Sequence, residues 1–226
     1  MFGKGEANLL FSATGFEKRY AGAVLGSRLL ARLSSTVDLP QKLELPTDRP
    51  LIITANHSSL FDLVGSLILL GHFGITTRIA VNSRFFVNPA AGAFLRNIGC
   101  IAFSKDDRER AEATTIEALK QRQVAAMMPE GRITRPADQV NCVGPGRPGV
   151  SRIATAADAA VLPIGFAFAN DAWTPGTPLP KPRLGTHRVI ARAGAPILFE
   201  SDDHLANAET LMTAIGDLVA DGRSAT

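Results

Sequence analysis

The segment at residues 51–62 reads LIITANHSSLFD, and it joins two elements of different type. Its first three residues form a short apolar run, which predicts a buried strand. The apolar run at 63–70 that follows predicts the start of a helix. His57 and Asp62 therefore lie at the turn from the strand into the helix.

The rest of the chain alternates between strand and helix signals. Short apolar runs predict strands at 78–81, 99–103, 124–128, 161–168 and 188–193. Longer periodic segments predict helices at 7–33, 106–121, 150–160 and 205–220, and a short helix at 85–97 that Asn88-Pro89 interrupts. Segments at 37–50, 135–149 and 174–182 are interpreted as connections. This alternation predicts an α/β fold with a mostly parallel central sheet flanked by helices, and ligands bind such sheets beyond the carboxyl ends of the strands.

Length and composition limit the class of protein. The chain has 226 residues, 46% of them hydrophobic, which is enough for one α/β domain with a small additional segment. We expect an N-terminal amphipathic helical segment at 1–37 and a main domain at 38–226. No apolar run approaches about eighteen residues and no secretory signal is evident, so we expect neither a transmembrane span nor export. Cys100 and Cys142 lack a motif spacing and are expected to be free thiols in a reducing cytoplasm.

Two interpretations of the N-terminal segment remain open. Residues 1–37 contain five Lys or Arg against two Glu, whereas the tail from Phe199 onward contains six acidic residues against one Arg. One face of the predicted helix carries Phe16, Tyr20, Ala23, Val24, Leu30 and Ala31, and the other carries Lys18, Arg28 and Arg32. Such a helix either packs its apolar face on the domain or lies in a lipid headgroup layer. Taken alone, the pattern favours packing on the domain.

The pair formed by His57 and Asp62 is suited to acid/base chemistry. A neutral imidazole can remove a proton from an alcohol near neutral pH, and a carboxylate on its other nitrogen fixes the tautomer and stabilises the imidazolium. In the alternative interpretation, Asn56 or Ser58 caps the helix and His57 is an ordinary surface residue. Taken alone, the pair favours this alternative.

Two further segments contain predicted strands and carry residues that need an explanation. The segment GCIAFSK at 99–105 ends in Lys105, and a cation just past a strand end can hold a ligand phosphate. A lone lysine at a helix start is more often an ordinary surface residue. The segment VLPI at 161–164 contains a proline, which indicates a sheet margin or a bulge.

The segment at 127–135 reads MMPEGRITR and follows another predicted strand. Gly131 permits a tight turn or a close backbone approach. Arg132 and Arg135 are placed to clamp a phosphate. Glu130 is placed to orient Arg132 or to hydrogen-bond a substrate hydroxyl.

Together these segments resemble the motifs of the PlsC-like glycerolipid acyltransferases. NHSSLFD at 56–62 resembles the Asn-His-x4-Asp motif of that family, and MPEG at 128–131 is similar to its Phe-Pro-Glu-Gly motif. The segments at 99–105 and 162–164 are similar to its second and fourth motifs. All four occur in the family's order between about residues 50 and 170, and His-x4-Asp followed by Pro-Glu-Gly at this separation is a specific signal.

The resemblance implies an O-acyltransferase that moves a fatty acyl group from a thioester directly to the hydroxyl of a lysophospholipid. His57 is then the general base and Asp62 its orienting partner, and the acceptor is bound by Lys105, Glu130, Gly131 and Arg132. Backbone N–H groups at the start of the following helix are expected to stabilise the oxyanion. No metal or cofactor is expected, since acyl-CoA or acyl carrier protein brings the acyl group as a co-substrate.

Departures from the family pattern leave the acceptor open. Lys105 stands where the second motif usually ends in Arg, and Arg132 directly follows Gly131 where the family often has Thr-Arg. The expected acceptor is 1-acyl-sn-glycerol 3-phosphate, with lysophosphatidylethanolamine as the alternative. A non-catalytic lipid-binding relative is a further hypothesis. A lipid hydrolase is disfavoured because the chain has no Gly-x-Ser-x-Gly elbow.

The resemblance also favours the second interpretation of the N-terminal segment. Both substrates carry acyl chains, so an apolar helix edged with cations is useful at a membrane surface. We therefore expect a cytoplasmic protein that is peripheral on the inner face of the cell membrane. Acyl carrier protein is a candidate partner, and no nucleic acid is expected as one.

Overall fold

The computed structural model describes residues 14–177, 179–180 and 187–225. The helices in this part of the chain are α1 (Thr14–Ser34), α2 (Phe61–His72), α3 (Pro89–Asn97), α4 (Arg108–Lys120), α5 (Gly149–Ala157), α6 (Ala169–Ala172) and α7 (His204–Ser224). The strands are β1 (Ser35–Asp38), β2 (Leu51–Ala55), β3 (Thr77–Asn82), β4 (Ile101–Phe103), β5 (Val124–Met127), β6 (Ala160–Ala167) and β7 (His187–Ala193). Within the described residues, none of the helices is both long and apolar enough to cross a membrane.

The strands form one sheet in the order β1-β7-β6-β2-β5-β3-β4. Every neighbouring pair is parallel except β6 and β7. This confirms the predicted α/β fold with a mostly parallel sheet flanked by helices. The central strands β2 and β6 are buried along their whole length, because helices cover both faces of the sheet.

Two apolar clusters lie on the two faces of the sheet. Leu51, Ile53 and Ala55 of β2 point into the cluster that includes α1 and α2. Ile52, between them, points into the cluster that includes α5 and α7. Successive side chains of a strand point to opposite faces of the sheet, and here both faces are covered by helices.

Helix α1 packs on α2 through the apolar face predicted from the sequence. Tyr20, Val24 and Ala31 are buried in the core on this side of the sheet. The contact is close at Gly71 of α2, where an added Cβ would lie 2.7 Å from Cγ2 of Val24. The predicted start of this helix, residues 7–13, lies outside the described residues.

The structure differs from the sequence prediction at two places. β1 was not predicted; it pairs with β7, and the predicted boundary between residues 37 and 38 falls inside it. β6 is an interior strand rather than a margin, and its ladder with β7 begins at Ile164, just after Pro163. Proline has no N–H to donate, and Pro163 stands just before the first residue of β6 that pairs with β7. The segment at 85–97 is indeed interrupted, with a 3-10 turn at Ser83–Phe86 before α3.

Strand order determines which loops meet. β5 lies beside β2 and parallel to it, with Thr54 opposite Met127. The residues that follow these two strands, including His57 and Glu130, are therefore neighbours at the carboxyl edge of the sheet. Lys105 follows β4, which lies at the outer edge of the sheet on the far side of β3.

Candidate active site

His57 and Asp62 meet at the turn between β2 and α2. Nδ1 of His57 lies 3.1 Å from Oδ2 of Asp62. The side chain of His57 is 21% exposed, whereas that of Asp62 is fully buried at 0%. A carboxylate only accepts, so Nδ1 donates to it and Nε2 keeps its lone pair. Among the described residues Nε2 has no hydrogen-bond partner, so no other side chain or backbone group occupies its lone pair.

The turn itself fixes the carboxylate of Asp62. The backbone N–H groups of Ser58 and Ser59 donate to Oδ2 at 2.6 and 2.7 Å. Ser58 and Ser59 precede Leu60, the N-cap of α2, so the side chain of Asp62 reaches back from the first turn of the helix to bind their N–H groups. These contacts hold the carboxylate in the orientation that His57 needs.

Neither Asn56 nor Ser58 caps α2, in contrast to the alternative interpretation of this turn. Asn56 bonds the backbone of Phe166 in β6 with both ends of its amide, at 3.0 and 2.8 Å. Ser59, rather than Asn56 or Ser58, accepts from the N–H of Phe61 at 3.0 Å. Asn56 therefore ties the turn to the neighbouring strand.

The segment after β5 binds the backbone of His57 at both polar groups. The N–H of His57 donates to Oε1 of Glu130 at 2.9 Å. The N–H of Thr134 donates to the carbonyl of His57 at 2.7 Å. The motif carrying Glu130 thus determines where the imidazole stands.

Glu130 is itself buried, with 3% of its surface exposed. Burial raises the pKa of the Glu130 carboxyl, and hydrogen bonds from the Thr134 side chain and from the backbone of His57 and Gly144 oppose that shift. Oε2 accepts from the hydroxyl of Thr134. This geometry makes Glu130 a positioning group for His57, and its predicted contact with the substrate stays a prediction.

The predicted phosphate-binding residues lie on the outside of the same region. Gly131 has a φ of 66°, which favours glycine, and it turns the chain so that Arg132 is exposed. Arg135 instead donates to Asp138 at 3.1 Å, so it is engaged within its own loop. Lys105 is exposed beyond β4, at the same edge of the sheet but two strands away from β5.

Arg147 is a further cation at this turn, and the sequence prediction missed it. Its Nε lies 3.2 Å from the position that a Cβ would take at Gly131. The residue falls in the segment 135–149, interpreted only as a loop. One signal was present: Arg147 is the only charged residue in the run GPGRPG at 144–149.

An apolar groove of about 620 Å³ opens beside the turn. It lies between α1, α2 and α3, and Leu60 brings it within three residues of His57. Its lining includes Gly22, Ala23, Gly26, Leu30, Leu63, Val64, Leu67, Phe94, Ile98 and Trp173. A groove with such a lining suits an alkyl chain.

The backbone N–H groups expected to bind an oxyanion are partly in use. Those of Ser58 and Ser59 donate to Asp62, and that of Phe61 donates to Ser59. These three are therefore not available to a substrate. In the described part of the chain, no group of three or more His, Cys, Asp or Glu side chains is placed to hold a metal ion.

Comparison with known proteins identifies a family and a solved structure of similar fold. The family model described as Acyltransferase matches residues 36–167. The fold is similar to the crystal structure of the 1-acyl-sn-glycerophosphate (LPA) acyltransferase PlsC from Thermotoga maritima, with a TM-score of 0.71. Sequence identity is 20%, over 95% of this chain and 85% of that chain. No curated protein matches the sequence significantly.

Proposed function

Because the chain belongs to the Acyltransferase family, we propose that it transfers a fatty acyl group from a thioester to the free hydroxyl of a lysophospholipid. One observation carries this proposal: the dyad of His57 and the buried Asp62 lies in the turn whose Leu60 lines an apolar groove. The dyad supplies a base for a hydroxyl, and the groove supplies room for an acyl chain. Acyl transfer to an alcohol needs both.

The chemistry follows from the orientation of the imidazole. Nε2 of His57 takes the proton from the acceptor hydroxyl as its oxygen attacks the carbonyl carbon of the thioester. Asp62 stabilises the imidazolium through Nδ1. The new C–O ester bond forms, the C–S bond breaks, and His57 returns the proton to the leaving thiolate. The transfer is direct and uses no covalent enzyme intermediate.

The acceptor is assigned from charge. Lys105 and Arg132 are exposed cations at the carboxyl edge of the sheet, and we assign the acceptor phosphate to them. The acceptor is then 1-acyl-sn-glycerol 3-phosphate, with lysophosphatidylethanolamine as the alternative. The acyl donor is acyl-CoA or acyl carrier protein.

We propose that the protein binds the acceptor lysophospholipid at a membrane surface. Leu25, Leu29 and Leu33 of α1 are 59%, 54% and 52% exposed and follow one another at four-residue spacing. Arg28 and Arg32, which are exposed, flank this stripe. An apolar stripe edged with cations is typical of a helix that lies in a headgroup layer. The apolar face named from the sequence is instead used for packing on α2, so these leucines would carry the contact.

The stripe also borders the groove. Leu25 and Leu29 each follow a groove-lining glycine, Gly22 or Gly26, by three residues, so they are neighbours on the helix surface. A fatty acyl chain that leaves the lipid layer beside these leucines would therefore reach the groove directly. This supports contact with a membrane surface, and we propose that this surface is the inner face of the cell membrane.

The test is a transfer assay with each reactant varied. Purified protein is given labelled acyl-CoA or acyl carrier protein thioester, with lysophosphatidate, lysophosphatidylethanolamine or no acceptor. We expect labelled diacyl product with an acceptor and no free fatty acid without one. Free fatty acid in the absence of acceptor would identify a hydrolase, and no product with any pair would leave a lipid-binding protein.

A further inference from the structure

The backbone of Arg147 is held against the turn that positions His57. Its N–H donates to the carbonyl of Pro129 at 2.9 Å. On the other side, an added Cβ at the preceding Gly146 would lie 2.5 Å from Cγ of Met212 in α7, so the loop is pressed between the turn and the helix. Arg147 therefore has a defined place beside the site.

The side chain of Arg147 lies over Gly131. Its Nε, Cδ and Cζ are 3.2, 3.3 and 3.4 Å from the position of a Cβ at Gly131. Arg132 is the next residue along this turn. Two cationic side chains thus lie at this turn, Arg132 in the turn itself and Arg147 in the loop packed on it, and an anion bound there would be attracted to both.

No acidic partner neutralises either group in the described part of the chain. Other arginines near this loop are paired, since Arg135 donates to Asp138 at 3.1 Å and Arg152 to Glu112 at 3.1 Å. Arg147 and Arg132 make no such side-chain hydrogen bond or ion pair with a described residue. Arg147 differs from other unpaired surface cations because its side chain lies over Gly131, in the turn whose Glu130 binds the backbone of His57.

We infer that Arg147 binds the acceptor phosphate together with Arg132 and so selects a phosphate monoester over a zwitterionic headgroup. Guanidinium forks match phosphate oxygens, and a monoester offers more negative charge and more free oxygens than a diester. An ethanolamine headgroup brings an ammonium that two arginines disfavour. This inference rests on the proposed function and names the acceptor class for that site.

The experiment compares Arg147→Ala and Arg147→Lys with wild type, and uses Arg188→Ala, at an exposed arginine of β7 that pairs with Asp38, as a control. Transfer is measured with lysophosphatidate, lysophosphatidylethanolamine and monoacylglycerol. Binding of the soluble headgroup glycerol 3-phosphate is followed separately by phosphorus NMR titration. Melting temperatures check that the exposed substitution leaves the fold intact.

We expect Arg147→Ala to raise KM for lysophosphatidate about 10- to 100-fold with a smaller change in kcat, and to weaken glycerol 3-phosphate binding similarly. Arg147→Lys should recover part of both, and Arg188→Ala should resemble wild type. The same loss with monoacylglycerol, or unchanged headgroup binding in Arg147→Ala, would overturn the inference. If wild type transfers no acyl group while Arg147→Ala still binds glycerol 3-phosphate more weakly, the proposed function fails. Arg147 would then still be a phosphate-binding residue.

Discussion

The backbone N–H of His57 donates a hydrogen bond to Oε1 of Glu130, 2.9 Å away, across two adjacent strand ends. The carbonyl of His57 accepts from Thr134 four residues further on. The residue proposed as the general base is thus held by the motif that the sequence analysis assigned to substrate binding. Changes at Glu130 should therefore act through the position and surroundings of His57.

The first prediction concerns Glu130 and pH. Burial raises the pKa of Glu130 in the folded protein above its ordinary value of 4.5, so the folded state binds this proton more tightly than the unfolded state. Its contribution to stability is full below the unfolded pKa and is lost as the pH rises through the folded pKa. The stability of wild type relative to Glu130→Gln should therefore fall as the pH rises.

Urea denaturation of both proteins from about pH 4 to about pH 8 measures this difference. The exposed Glu109→Gln is the matched control and should show little pH dependence relative to wild type. A stability advantage of wild type over Glu130→Gln that grows with pH would contradict the assigned cause of the shift.

Asp62→Asn tests the orienting carboxylate. The amide keeps the shape but places an NH₂ group among the N–H donors of Ser58 and Ser59 and facing the ring of His57. We expect kcat to fall about 100- to 10,000-fold, because the tautomer and the imidazolium lose their support. Asp138→Asn, at an exposed ion pair, is the control. Activity of Asp62→Asn within a few-fold of wild type would rule out the dyad.

Gly26→Leu tests the groove as an acyl-chain site. Gly26 lines the groove, and an added Cβ there meets no atom within 4 Å, so a leucine side chain can start from this position toward the groove. We expect kcat/KM for long-chain acyl donors to fall about tenfold or more, with a smaller effect on short chains. Ala21→Leu, on an exposed part of the same helix, is the control. Equal effects on all chain lengths would remove the groove from this role.

The leucine stripe of α1 gives a test of membrane contact. Removing residues 1–37 would also remove Tyr20 and Val24 from the core, so substitution is the sharper experiment. The triple variant with Leu25, Leu29 and Leu33 changed to Gln should bind anionic vesicles at least about tenfold more weakly in flotation, since three apolar side chains lose their burial in lipid.

The matched control changes the exposed Leu198 and Leu205 to Gln, because these residues lie outside α1. This control should float as wild type does. Undiminished flotation of the triple variant would exclude α1 as the contact.

Local pattern predicted much of the fold and the central pair. The strand–turn–helix at 51–70 is encoded by an apolar run, a polar turn and a second apolar run, and His57 and Asp62 are near in sequence. Strand β1 escaped prediction because its sequence STVD has no apolar run, and its pairing with β7 is a contact across about 150 residues.

The rest of the site depends on tertiary packing that spacing does not encode. Glu130 could equally have pointed outward to Arg132; the adjacency of β2 and β5 turns it toward the backbone of His57. Arg147 reaches the turn only because its loop folds back onto Pro129. Which face of α1 is buried depends on the close approach of α2 at Gly71, which covers one stripe of the helix and leaves the leucines exposed.

The most direct test of the whole account is acyl transfer from labelled acyl-CoA to lysophosphatidate by wild type and by His57→Ala. The predicted result is transfer by wild type and a loss of at least about 100-fold in kcat for His57→Ala, with an unchanged melting temperature. Equal transfer by the two proteins would contradict the central claim that His57 removes the proton from the acceptor hydroxyl.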